Sequence, residues 1–158
     1  MTFWEKIAEN PAYCAFEGAS LEMLTMKKTY LHVRLCLDGN VYPKYEQDLK
    51  DEYLDPSERE LFIDMVFLSP TILREQSQLP PKITFGGEVY WVTALTEVAK
   101  GVYCLSLSTF DKETYSIQFT AKECIAKPFT EMDCSFYFNH PEIFDKPFSL
   151  KEFMGRKN

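Results

Sequence analysis

The chain is poor in the residues that most catalysis needs. Only two of its 158 residues are histidine, His32 and His140, although histidine is the commonest general base at neutral pH. The cysteines, Cys14, Cys36, Cys104, Cys124 and Cys134, are odd in number and none stands in a CxxC pair. That spacing excludes zinc-finger and zinc-ribbon sites and points to reduced thiols in a cytosolic protein. Positive charge is scarce: 17 Lys and Arg face 24 Asp and Glu, a net charge of −7. Nucleic-acid binders need the opposite balance to displace phosphate counterions, and so do proteins that dock on anionic membranes.

Long hydrophobic runs are missing too. The longest apolar stretch, Phe62–Leu68, is interrupted by Asp64 and is far shorter than the roughly 20 residues that span a bilayer. The opening Met1-Thr2-Phe3-Trp4-Glu5-Lys6 lacks the basic start and apolar run of a signal peptide. The expectation is a cytoplasmic protein with neither membrane nor nucleic acid as partner.

Aromatic residues, by contrast, are plentiful: 13 Phe, 9 Tyr and 2 Trp, 15% of the chain. A buried ring removes about 150–250 Å² from water, so these rings either fill a core or line a binding surface. A chain near 150 residues buries roughly 70% of its unfolded surface without disulfides or metal. A single domain over residues 1–158 is expected, since no repeat, low-complexity tract or linker divides it.

Thr2 and Glu5 form a capping box for a short helix from Phe3 to Glu9, ended by Asn10-Pro11. Residues 11–26 read as a broken helix interrupted by Gly18. From Lys28 to Leu37 the pattern is a strand, with Leu31, Val33, Leu35 and Leu37 on one face and Tyr30, His32, Arg34 and Cys36 on the other. Asp38-Gly39-Asn40 is a turn signal. The charged stretch 45–53 reads as a solvent-facing helix. Asp55-Pro56-Ser57-Glu58 looks like a helix start, and the repeat Leu61, Met65, Leu68 continues it; a buried strand over Leu61–Leu68 is the competing reading. Ser69-Pro70 begins another helical turn to Gln76.

From Glu88 to Ala121 the chain reads as an antiparallel meander. Its first strand, Glu88–Val98, is apolar on both faces. The next two, Val102–Thr109 and Thr114–Ala121, alternate, and the short links force antiparallel neighbours. Gly86-Gly87 suits a further hairpin. A strand near Ser135–Phe138 and a capped helix from Ser149, stapled by Phe148 and Phe153, close the chain. The expected fold class is α+β: an antiparallel sheet made of the 88–121 meander and strand 28–37, with helices packed on one face and short helices at both termini.

No motif has catalytic or metal-site spacing, and no cofactor is expected. His32 reads as a half-exposed strand residue and His140 as a turn residue before Pro141. A thiol–imidazole pair of Cys124 or Cys134 with His140 lacks any signature around it. Asp64 is a candidate only if it is buried, where its carboxyl would be pushed up; an exposed position is the simpler reading, because buried unpaired carboxylates are costly. The ring-rich set Tyr90, Trp91, Tyr103, Tyr115 and Phe119, together with His140, is the candidate contact site for a ligand or partner. The expected function is a small acidic non-enzymatic protein-binding module of inhibitor, immunity or chaperone type. Its partner would be a protein, a basic one suiting the charge, or a second copy of the chain. The alternatives are a small-molecule cup lined by those aromatics and, third, a Cys/His-dependent enzyme.

Overall fold

A computed structural model describes residues 3–10, 16–37, 59–80, 82–84, 88–133, 142 and 146–156. Helix α1 (Phe3–Glu9) is followed by strands β1 (Ser20–Met26), β2 (Tyr30–Leu37), β3 (Arg59–Leu68), β4 (Thr71–Gln76), β5 (Lys82–Ile83), β6 (Tyr90–Ala99), β7 (Val102–Thr109), β8 (Thr114–Thr120) and β9 (Glu123–Asp133). Helix α2 (Leu150–Gly155) ends the order. The strands form one open antiparallel sheet in the order β4-β8-β7-β6-β1-β2-β3-β9, with β5 beside β1.

The two ends of that order are tied together. β3 leads into β4 through Ser69-Pro70, and β8 leads into β9 through Ala121-Lys122. β3 pairs with β9 and β4 with β8, and between them the Lys122 amide donates to the Leu68 carbonyl at 2.9 Å. Both ends of the sheet therefore belong to one bent two-stranded ribbon, which curls the sheet around a single core. Phe67 of β3 meets Phe119 of β8 at 5.0 Å and Tyr103 of β7 at 5.3 Å between ring centres. Leu31, Val33, Leu35, Leu105, Leu107 and Ile117 fill the same interior.

The meander of the sequence reading is present as β6, β7 and β8, and strand 28–37 as β2. The α+β architecture is not. Among the described residues strand makes up 60% and helix 12%, in two short helices, with no helical layer against the sheet. Three segments account for the difference. Of the residues read as a helix from Pro56 to Leu68, Arg59–Leu68 form β3, the competing reading, because both faces of the strand are covered. Ile63, Met65 and Phe67 enter the main core, while Asp64 and Val66 are buried on the other face. The helical turn read to Gln76 is β4, and the broken helix before Met26 contains β1. The terminal helices are where they were expected, α1 seating Ile7 in the core and packing against β9. The helix read at 45–53, the strand near Ser135–Phe138 and the turns at 38–40 and 86–87 lie outside the described residues.

Candidate functional site

The outer face of β2, β3 and β9 carries charge where an apolar face would be expected. The antiparallel register sets Arg34 opposite Asp64 and Asp64 opposite Lys127, so three charged side chains form a row across three strands. His32, two residues from Arg34, points to the same side. Over this row lies the segment Lys146–Arg156. Ser149 caps α2 by accepting from the Glu152 amide at 3.3 Å. The Phe148 and Phe153 rings close the hydrophobic staple at 5.9 Å, and Phe153 packs with Tyr30 and Val66 in a second apolar cluster.

Asp64 is fully buried and is the hub. It accepts from His32 Nε2 at 2.7 Å, from Arg34 Nε at 2.8 Å and Nη2 at 3.0 Å, and from Arg156 Nη2 at 2.8 Å. Burial pushes its carboxyl up, but the bonds from His32 and Arg34 outweigh that and hold it well below the usual carboxylate range. Burial also drives the His32 imidazole down, against the pull of Asp64 and with help from Arg34 and Arg156. A neutral His32 that donates from Nε2 leaves Nδ1 as an acceptor, and Nδ1 is buried with no partner. Phe148 stacks on the imidazole at 3.5 Å and 6°.

Lys127 meets no carboxylate among the described residues. It donates to the carbonyls of Phe153 at 2.9 Å and Arg156 at 2.8 Å, with Met154 at 3.4 Å. A cation thus satisfies the orphan carbonyls at the end of α2, where the helix dipole is negative. Desolvation pushes its ammonium down, and Arg156 adds to that. The Arg34 guanidinium lies 3.6 Å from the Phe129 ring centre. Beside these groups is an opening of about 70 Å³ between α2 and the sheet, well short of the roughly 300 Å³ at which small-molecule pockets begin.

The ring-rich set is divided by the structure. Tyr103 and Phe119 are core residues 5.7 Å apart. Tyr90 is buried in the same core and Tyr115 packs against it; their rings meet edge to face at 6.0 Å, and their hydroxyls donate to Glu88 and Glu113. Trp91 is half-buried on β6, and His140 lies outside the described residues. Cys124 is buried, which pushes its thiol up and away from reactivity. Among the described residues no three His, Cys, Asp or Glu side chains gather to hold a metal. The charged cluster was only half legible. The pattern did place His32 and Arg34 on one strand face and Asp64 inside an apolar run, but it gave no register to join them.

A second feature is the edge of the sheet. β4 is exposed along its whole length, pairs only with β8 and has no strand on its other side among the described residues. Ile72 and Leu73 are 39% and 55% exposed. A bulge interrupts the ladder between Ile72 and Arg74, and left-handed Ser69 and Ser77 flank the strand. No protein-family model, curated protein or solved structure matches the chain.

Proposed function

We propose that this chain is a non-enzymatic protein-binding module that takes an extended segment of its partner along the β4 edge. The observation that carries the reading is the exposed strand β4 with one edge unpaired among the described residues. Strand addition to such an edge supplies main-chain hydrogen bonds, while alternate side chains supply specificity. Ile72 and Leu73 offer apolar anchors there. The bulge and the charges of Arg74 and Glu75 limit indiscriminate pairing. The net charge of −7 favours a basic partner by long-range attraction. An aromatic-lined ligand cup has less support, because Tyr103 and Phe119 are spent in the core.

The test is affinity capture from the native host with three forms of the tagged chain. Wild type and Val89→Lys, a substitution at an exposed position outside β4, should recover the same stoichiometric partner. Leu73→Lys should lose it, since it places a like charge against a basic segment and removes an anchor. Exposed substitutions of this kind shift stability by only about 0.5 kcal/mol, so the loss reports binding. A partner retained at full stoichiometry by Leu73→Lys contradicts the reading.

A further inference from the structure

We infer that the cleft between α2 and the sheet binds a carboxylate group, held by Arg156 and Arg34 and carried on a short apolar stem. The site is separate from the β4 edge and does not depend on it.

The inference starts from charge. Two guanidiniums, Arg34 and Arg156, share the single Asp64 carboxylate. Lys146 and Glu152, both on the rim of the cleft, neutralise each other at 3.1 Å. Lys127, behind α2, meets backbone carbonyls. Glu22 on β1, whose carboxylate accepts from Ser20 Oγ at 2.7 Å, feels Arg34 and offsets part of this charge. His32 is held toward its neutral form. Among the described residues the cations Arg34, Arg156 and Lys127 thus face two carboxylates, Asp64 and Glu22, which is an excess of positive charge within a molecule of net charge −7.

Geometry then sets the ligand. Arg34 gives Nε and Nη2 to Asp64, whereas Arg156 gives Nη2 alone, and its buried Nε has no partner among the described residues and remains for a second acceptor. Both guanidiniums line the opening. The Phe129 ring supports the face of Arg34 at 3.6 Å, and Phe153 lies 5.0 Å from Arg156, which leaves the guanidinium edges for in-plane bonds to a planar carboxylate. At about 70 Å³ the space suits a carboxylate head rather than a whole metabolite. Phe148 and Phe153 supply apolar wall for the atoms next to it. The carboxylate can come from a small free acid or from the end or acidic side chain of a polypeptide.

The experiment follows the melting temperature of the full chain in sodium acetate and in sodium chloride at equal ionic strength. It is then repeated with acetyl-trialanine bearing either a free or an amidated C-terminus. Acetate should give a saturable rise that chloride lacks. Arg156→Gln, read against its own acetate-free melting point, should weaken apparent acetate affinity about tenfold, because a charge-assisted bond is lost. Lys146→Gln, at an exposed rim position that leaves the fold intact, should weaken it less. Tighter binding of the free-acid peptide than of acetate, with no effect of the amide, assigns the site to polypeptide carboxylates. Equal binding of peptide and acetate assigns it to small free acids. Coincident acetate and chloride curves, or wild-type acetate affinity in Arg156→Gln, overturn the proposal.

Discussion

At the scale of residues, Asp64 organises the outer face of the sheet. Among the described residues it is the only carboxylate hydrogen-bonded to both guanidiniums and the imidazole, so removing its charge strands Arg34 in a buried site. Asp64→Asn should cost about 3–5 kcal/mol in urea unfolding, as expected when one partner of a buried ion pair is lost. Arg156→Gln removes one charge-assisted bond at a partly exposed side chain and should cost about 1–2 kcal/mol. Comparable losses for the two would mean that Asp64 is not the hub.

The same cluster sets a pH dependence. The folded state holds His32 below its ordinary value near 6.5, so the unfolded chain binds more protons as pH falls through that value. Stability from this group is complete above about pH 6.5 and drains away below it. Asp64 is also depressed, and its contribution is lost only as pH falls below the ordinary carboxylate range, near 4. Urea midpoints should therefore decline in two steps on acidification. His32→Phe, which keeps a ring against Phe148 but cannot take a proton, should flatten the first step and leave the second. A wild-type curve level from pH 7 to 5 would be inconsistent with a neutral buried His32.

At the scale of elements, the turns show what the chain spends to hold its meander. Thr109 and Glu113 close the β7–β8 link, with the Thr109 amide donating to the Glu113 carbonyl at 2.9 Å and Lys112 at φ 63. This is a type I turn with a left-handed residue after it, a conformation that costs a non-glycine residue on the order of 1 kcal/mol. Lys112→Gly should raise stability by about 0.5 kcal/mol. Gly101, at φ 75 in the β6–β7 turn, has open space around its missing Cβ. Gly101→Ala should therefore cost about 1 kcal/mol through the backbone alone. Thermal or urea unfolding measures both, and a loss of stability in Lys112→Gly or a gain in Gly101→Ala would contradict this description of the turns.

The elements legible in sequence were those whose two faces differ in polarity, whether or not the polar face is covered, as it is in β2. β7 and β8 alternate because their outer side chains, such as Ser106 and Ser116, reach the surface, and β2 kept its alternation because its outer face is polar. β3 lost its period because the curled core covers one side and α2 the other, and the Pro56 start signal then favoured a helix. β4 failed for the reverse reason: every residue is exposed, so no face is marked. The ion cluster was hidden for want of register. A carboxylate inside an apolar strand needs a cation at the same height on a neighbour, and only the Arg34–Asp64 and Asp64–Lys127 pairings supply that height.

At the scale of the whole molecule, the chain has one closed side and one open side. The ribbon of β3–β4 with β8–β9 draws the sheet around its core, and the Lys146–Arg156 segment covers the outer face of β2, β3 and β9. That division leaves β4 as an exposed strand whose outer edge pairs with no strand among the described residues, and the proposed partner contact lies there. No helix among the described residues is long and apolar enough to cross a membrane. The most direct test is amide hydrogen exchange on the captured complex and on the chain alone. Protection should appear at residues 71–76 of β4 when the partner is bound, with exchange beneath α2 unchanged. A complex that leaves 71–76 exchanging as fast as in the free chain, with protection elsewhere, would contradict the account.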